Sequence, residues 1–292
     1  MIKLRYITLK EKYDKYHYYS RFNKKLPYLK FKTKNWNDQL NLSFKADKFY
    51  KTKLSFFKQY YKKDNIEYVE YVKKNISKKK KILSIGSGRG VSELKLHDLG
   101  YDITLSDLNY PTGLKQLNKS FKNLKYKKFN IFKKKSKNKY DVILCFNLIY
   151  AFDENTLNKF FQKCKKIINK NGIILISPGG STLNFYKIFF DRIYLPIEIY
   201  FLYFLSFFKK KKFEIFKHHH GYMHSNQGIV KLAKKNSLIL SKKITIADFI
   251  SEFDRSIVIK KLISKSKFFK NIFLIFGKKI PFVKFFFFEE KK

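Results

Sequence analysis

Between Asp64 and Ser177 the apolar positions of the chain alternate between two rhythms. Behind Asp64, a candidate N-cap, Ile66, Val69, Val72 and Ile76 recur at helical spacing and predict an amphipathic helix. A short apolar run follows at Ile82 to Ile85, the length of a strand rather than a helix. Val91, Leu94 and Leu96 then return to helical spacing and stop near Gly100, a natural C-cap. Further strands are expected at Asp102 to Ser106, around Tyr126 to Phe132, at Tyr140 to Phe146 and at Ile173 to Ser177. Helices are expected between them, from Thr112 to Phe121 and behind a capping Asp153. The second carries Leu157, Phe160, Phe161, Cys164, Ile167 and Ile168 on one face and is closed by Asn171-Gly172. The run YDVILCF is nearly continuously apolar, as a parallel strand buried on both faces requires. Five strands alternating with helices predict an α/β fold, a doubly wound parallel sheet.

On either side of this region the rhythm changes. Residues 1–60 are rich in Lys and Tyr with weak periodicity, and read as an N-terminal extension or a lid on a domain spanning 61–292. After Pro178-Gly179-Gly180 comes a very apolar block, Leu183 to Phe208, and then Lys209 to Lys212. The block lies in an insertion, 182–224, read as an apolar lid or a membrane-facing segment. Its longest charge-free run, Ile199 to Phe208, is too short to span a bilayer, and Pro196 is expected to kink any helix there. Ser225 can cap a helix bearing Ile229, Leu232 and Ala233. Two late β-rich pieces, Leu238 to Ile246 and Ile280 to Phe288, flank a Lys-rich helical stretch from Ser256 to Phe269.

Composition sharpens this picture in two places. Hydrophobic residues make up 45% and aromatics 19% of 292 residues, which excludes global disorder. The formal charge of +43 draws attention to nucleic acid or an anionic membrane. Yet Arg occurs only at Arg5, Arg21, Arg89, Arg192 and Arg255, and bidentate base reading favours Arg over Lys. The joint excess of Lys, Phe, Tyr, Ile and Asn fits the codon drift of an AT-rich genome. Cys145 and Cys164 fall inside a predicted strand and helix, as small core residues of a reducing compartment do. No continuous apolar segment opens the chain, so a cytoplasmic protein is expected, peripheral at the inner membrane surface if the insertion touches lipid.

Candidate chemistry concentrates in KKILSIGSGRGVSELKLHDLGYDITLSDLN, from Lys80 to Asn109. Gly86, Gly88 and Gly90 let the backbone turn tightly from strand to helix and leave room for a ligand against bare peptide groups. Asp107, at the tip of the next strand, is placed to accept hydrogen bonds from a ribose diol. A dinucleotide-binding dehydrogenase is disfavoured, because the third glycine comes one position early and Val91 stands where a small residue is needed.

The order ILSIGSGRG, TLSDLN, FNIF and then YDVILCFNLIYAFDENTLNKFFQKCKKIINKNGIILISPGG resembles class I S-adenosylmethionine (SAM) dependent methyltransferases, from about Asp64 to Phe288. The resemblance implies a Rossmann-like sheet of seven strands ending in an antiparallel hairpin, with SAM as cofactor. It implies that Gly86, Ser87, Gly88 and Gly90 line the methionine and ribose part of SAM, that Asp107 holds the ribose hydroxyls and that Leu108 packs on the adenine. Asn130 and Ile131 fall near the adenine amine; Asn147 and Leu148 border the sulfonium and the acceptor. Two positions depart from the pattern: Ser84 replaces the acidic residue common in the first strand, and Asn130 replaces the usual Asp.

Methyl transfer needs in-line approach of the acceptor, and a base only where the nucleophile keeps its proton. Of six histidines, His218, His219, His220 and His224 cluster after the fifth strand, and His220 is the candidate base. No Cys or close carboxylate completes a metal set with them. Asn147-Leu148-Ile149-Tyr150 lacks both prolines of the motif used for exocyclic amines of bases. That argues against methylation of an adenine amine, though not against every RNA substrate; the expected acceptor is a small or lipid-like molecule, with membrane-surface contact through 183–212. The rival readings are an RNA methyltransferase using the lysine-rich surface and a non-catalytic membrane-surface protein that retains the fold. Glu252 and Asp254 beside Arg255 read as a local salt bridge at a helix start.

Overall fold

The computed structural model describes residues 14–22, 52–108, 120–133, 138–178, 182–183, 189–208, 213–222, 224–246, 256–279 and 282–290, with single positions between them. In chain order the elements begin with β1 (Asp14–Phe22), α1 (Lys53–Tyr60), α2 (Lys63–Asn75), β2 (Ile82–Ile85), α3 (Val91–Asp98) and β3 (Ile103–Asp107). They continue with β4 (Lys125–Lys128), β5 (Tyr140–Phe146), a 3-10 turn (Ile149–Ala151), α4 (Glu154–Ile167), β6 (Ile168–Ser177) and β7 (Thr182–Leu183). A π-helical turn (Phe190–Tyr194) leads into α5 (Leu195–Phe208), β8 (Phe213–Tyr222), β9 (His224–Ser225) and α6 (Asn226–Lys235). The chain closes with β10 (Leu238–Ile246), α7 (Ile257–Lys265), α8 (Lys267–Lys279) and β11 (Phe282–Glu290).

Seven strands form one sheet in the order β10-β11-β6-β5-β2-β3-β4. Pairs among β6, β5, β2, β3 and β4 are parallel, whereas β11 runs antiparallel between β6 and β10. This is the doubly wound, Rossmann-like sheet with an antiparallel end. Helices cover both faces, which explains the continuous apolar runs. On β5, Val142 and Leu144 face one layer with Phe56, Val69, Val72, Leu94 and Leu96, while Ile143 and Cys145 face the other with Leu157, Phe160, Phe161, Ile229 and Ala233. On β11, Phe285 and Phe287 join the first layer, Phe286 and Phe288 the second. Side chains alternate across a strand, so burial on both faces demands apolar residues at every position.

Several boundaries differ from the sequence reading for local reasons. The N-cap of α2 is Lys62, whose side chain makes no capping bond, so Asp64 lies inside the first turn. The buried face of α2 is Tyr68, Val69, Val72 and Ile76, and Ile66 is exposed. Asp153 does cap α4, accepting from the Thr156 amide, and Ser225 caps α6 through the Gly228 amide. Asn171-Gly172, however, does not end α4. That helix stops at Ile167, and Asn171 (φ 62) sits in an irregular kink of β6, where Asn169 donates to Asp141 at 2.8 Å. Pro196 does not interrupt α5, which runs from Leu195 to Phe208 with Pro196 as its second residue, directly after the π-helical turn. The helical stretch after Ser256 is two helices and runs on to Lys279. Thr112 to Phe121, Glu252, Asp254, Arg255 and Lys209 to Lys212 lie wholly or mostly outside the described residues.

Of residues 1–60, α1 belongs to the body of the domain, because Phe56 is buried in the first layer. β1 pairs antiparallel with β8 of the 182–224 insertion, in a two-stranded ribbon separate from the main sheet.

Candidate active site at the sheet switch point

β2 and β5 are neighbours at the centre of the sheet, and the strand order runs outward from them in both directions. Connections leave on opposite faces at such a point and open a crevice at the strands' C-terminal ends. A cavity of about 650 Å³ occupies this position, a size suited to a nucleotide-like ligand. Ten of the residues singled out from the sequence line it: Gly86, Ser87, Gly88, Gly90, Asp107, Leu108, Asn130, Ile131, Asn147 and Leu148.

The glycine turn that forms its floor has a steric and a conformational cause. Gly86 (φ 68) and Gly90 (φ 65) both adopt the left-handed region. A Cβ on Gly86 would stand 2.6 Å from Leu148 Cδ2, and one on Gly90 would stand 2.5 Å from Leu105 Cδ2 in the core. The turn is tied to the next strand, with the Ser87 amide donating to the Ser106 carbonyl at 3.0 Å. The Gly88 amide donates to Asp107 Oδ2 at 2.8 Å, which fixes the carboxylate at the strand tip beside the turn.

Ser84 is the exception among the predicted residues. It is fully buried behind the cavity wall, and its hydroxyl donates to Glu93 Oε1 at 2.7 Å. Glu93, in the first turn of α3, is 4% exposed and does line the cavity. A carboxylate therefore stands beside the first strand after all, carried by the helix instead of the strand. Burial pushes the Glu93 carboxyl up to about 7, against the lowering bond from Ser84, with a further raising contribution from nearby Asp107. Sequence reasoning missed Glu93; the one available signal was an acidic residue on the first turn after a glycine loop that lacks its strand acid.

Beside the turn, β5 ends in a polar relay. Asn147 (φ 51) accepts from Tyr68 Oη at 2.9 Å, and Tyr68 Oη accepts from Ser177 Oγ at 3.2 Å. The Tyr68 ring stacks on Phe146 at 4.7 Å, so α2 positions the end of β5. Asn130 Oδ1 accepts from the Phe132 and Lys133 amides and fixes the loop after β4. Arg89 lies over the Tyr60 ring at 5.1 Å, at the mouth of the cavity. Tyr60 and Tyr68 were also missed, since neither belongs to a recognisable motif.

The histidines separate. His224 is buried, with Nε2 bonded to the Phe152 carbonyl at 2.9 Å, and burial lowers its pKa. It borders a second cleft formed with α6, apart from the glycine turn. The side chains of His218, His219 and His220 lie outside the described residues, so the candidate base is not placed. Burial pushes the Cys145 and Cys164 thiols up, which keeps both protonated in the core. Among the described residues no group of three His, Cys, Asp or Glu could hold a metal ion.

A family model described as "Methyltransferase domain" matches residues 57–235. No curated protein matches the chain by sequence. Among solved structures the chain is similar to the cyclopropane synthase MmaA2 from Mycobacterium tuberculosis, at 14% identity over 76% of this chain and 83% of that one, TM-score 0.50. It is similar to mycolic acid cyclopropane synthase CmaA1 complexed with SAH and CTAB, at 15% identity over 77% and 84%, TM-score 0.50. A third is the 1,6-didemethyltoxoflavin-N1-methyltransferase of Burkholderia thailandensis, with S-adenosylhomocysteine bound, at 8% identity over 78% and 79%, TM-score 0.49. At such identities the structural likeness is one of fold.

Proposed function

The chain belongs to the class I SAM-dependent methyltransferases, and from that premise we propose that its acceptor is a small apolar or lipid-like molecule. The observation that carries this reading is the part of the cavity lining supplied by the ends of β4 and β5 and the segments that follow them. Ile131, Phe132, Phe146, Leu148 and Phe152 make it apolar, with Phe132 and Phe152 packed edge to face at 5.5 Å. Although the chain carries +43 overall, Arg89 is the one Lys or Arg among the described residues lining the cavity, against Glu93 and Asp107.

In this reading the chain's own groups do four things. Asp107, held by the Gly88 amide, takes the ribose hydroxyls. Glu93, supported by Ser84, neutralises the ammonium of the methionine part. The backbone of the glycine turn packs against the cofactor, and the Tyr68–Asn147 relay orients the edge where the acceptor meets it. SAM supplies an electrophilic methyl group, and the site contributes alignment and exclusion of water. A base is needed only if the acceptor keeps its proton, and His220 stands as the proposed one.

We place the work in the cytoplasm, at the inner surface of a membrane, with contact through 183–212. This is supported by α5 and the turn before it, where Ile193, Ile197, Tyr200, Phe201, Phe204 and Phe208 are all exposed. Their spacing confines them to one arc of roughly 100° on a helix. Among the described residues no helix is long and apolar enough to cross a membrane, so this contact is interfacial.

The test is direct. Isothermal titration with S-adenosylhomocysteine gives binding that Asp107→Ala abolishes. Labelled SAM, incubated with enzyme and with lipid and metabolite extracts, places label in an organic-soluble or small polar product. Label recovered in RNA alone would overturn the acceptor assignment.

A further inference from the structure

The apolar arc on α5 is not alone. α8 exposes Phe268, Phe269, Ile275 and Phe276, at 67%, 38%, 55% and 60%. With half-buried Ile272 they fall at i, i+1, i+4, i+7 and i+8, an arc of about 120°. Away from this arc, Phe273 meets Phe253 at 5.2 Å. It belongs to a small cluster with Phe190, Tyr194, Ile259 and Ile263, detached from the two main core layers. That cluster also holds the π-helical turn that leads into α5. Buried Glu198 accepts from Ser256 Oγ and from the Val258 amide at the head of α7, which locks α5 and α7 together. Both exposed arcs therefore hang from one rigid knot.

The charge on this unit is one-sided. Residues 257–279 contain seven lysines (Lys260, Lys261, Lys265, Lys267, Lys270, Lys278 and Lys279) and no Asp or Glu. The first five are exposed. Four exposed aromatic and aliphatic side chains on a helix pair that carries lysines and no acidic residue are not an ordinary solvated surface, and they would not pair well with themselves. A second copy would bring the same seven cations to the contact. An anionic bilayer meets both halves of the pattern, with apolar side chains entering the acyl boundary and lysines at the headgroups.

We propose that α7 and α8 form a docking element for an anionic lipid surface, and that with α5 they seat the domain on the membrane. The proposal rests on the reading of a lipid-like acceptor for its biological sense, but not for its geometry. It differs from the contact through 183–212 in naming a second, cationic helix pair from the C-terminal part of the chain.

The experiment is vesicle co-sedimentation of the full chain, using phosphatidylcholine alone or with about one third phosphatidylglycerol. The wild type sediments with the anionic vesicles at low salt and is released as salt rises. Phe268→Ser with Phe276→Ser lowers the apparent affinity at least tenfold. Replacing Lys260, Lys261, Lys265 and Lys267 by Gln lowers it similarly and flattens the salt response. Both variants alter exposed side chains, and unchanged S-adenosylhomocysteine binding confirms their fold. Equal sedimentation of wild type and variants overturns the proposal, as does failure of the wild type to sediment. A concentration-dependent dimer in lipid-free light scattering, lost in the Phe variant, overturns it in favour of a second copy. Absent methyl transfer to lipid extracts with intact vesicle binding would instead count against the acceptor reading alone.

Discussion

Glu93 is where the chemistry of single residues has most consequence. Its folded pKa, about 7, stands above the ordinary carboxylate range because the group is buried. A raised carboxyl pKa contributes stability fully present below the unfolded value and lost as pH rises through the folded one. The unliganded wild type should therefore lose thermal stability between about pH 4.5 and pH 7, more steeply than Glu93→Gln, which keeps an oxygen for Ser84. A cationic ligand end reverses the preference and favours the ionised form. Affinity for S-adenosylhomocysteine should rise by up to about tenfold per pH unit below pH 7 and level off above it. In Glu93→Gln the affinity should be weaker at pH 8 and nearly flat with pH. A parallel pH profile in the two proteins would remove Glu93 from the site. Gly86→Ala offers a second measurement. It places a methyl group at positive φ and 2.6 Å from Leu148. Cofactor affinity should fall at least tenfold in titration, with stability lowered by about 1–3 kcal/mol in denaturant unfolding.

Among elements, α4 shows how local sequence and sheet cooperate. Asp153 caps it, and the bond to Thr156 holds the carboxyl below its usual range. Asp153→Ala should cost about 1 kcal/mol at neutral pH in urea unfolding. A lowered carboxyl pKa contributes stability present above the unfolded value and lost as pH falls through the folded one. The difference between wild type and variant should therefore shrink below about pH 4. Caps of this kind, like the strands β2 and β5, were legible because the residues that make them are contiguous. The glycine turn and Asp107 were legible for the same reason, since the 26 residues from Ile82 to Asp107 carry the whole βαβ unit. What escaped was set by packing between elements. Tyr68 is drawn inward by Phe146 and Asn147 at the end of β5 and by Ser177 at the end of β6, both remote from α2 in sequence. Ile66 is left outside by the same rotation of α2. Asn171-Gly172 has the signature of a helix stop, yet the pairing of β6 with β5 claims Ile168 first and leaves the dipeptide to absorb the register difference. Ser84 looked like a lost acid until α3 brought Glu93 against it.

On the scale of the whole molecule, 65 Lys and Arg face 22 Asp and Glu, so one-to-one pairing neutralises only about a third of the cations. Pairs such as Lys53–Asp98 and Lys125–Asp102 are at the surface and worth little individually. The remaining repulsion acts on the compact state and is screened once the Debye length falls below the spacing of surface charges. Raising monovalent salt from about 0.05 M to about 0.5 M should therefore raise the thermal midpoint of the free protein. The same change should release it from anionic vesicles, because there the charges attract. Opposite responses to one variable separate a fold burdened by its own charge from a surface that uses part of it. If drift in composition were the whole account of the lysines, the Gln variants at 260, 261, 265 and 267 would raise the low-salt midpoint and leave vesicle binding untouched. If the helix pair is a docking element, the same four substitutions should raise that midpoint and weaken sedimentation together.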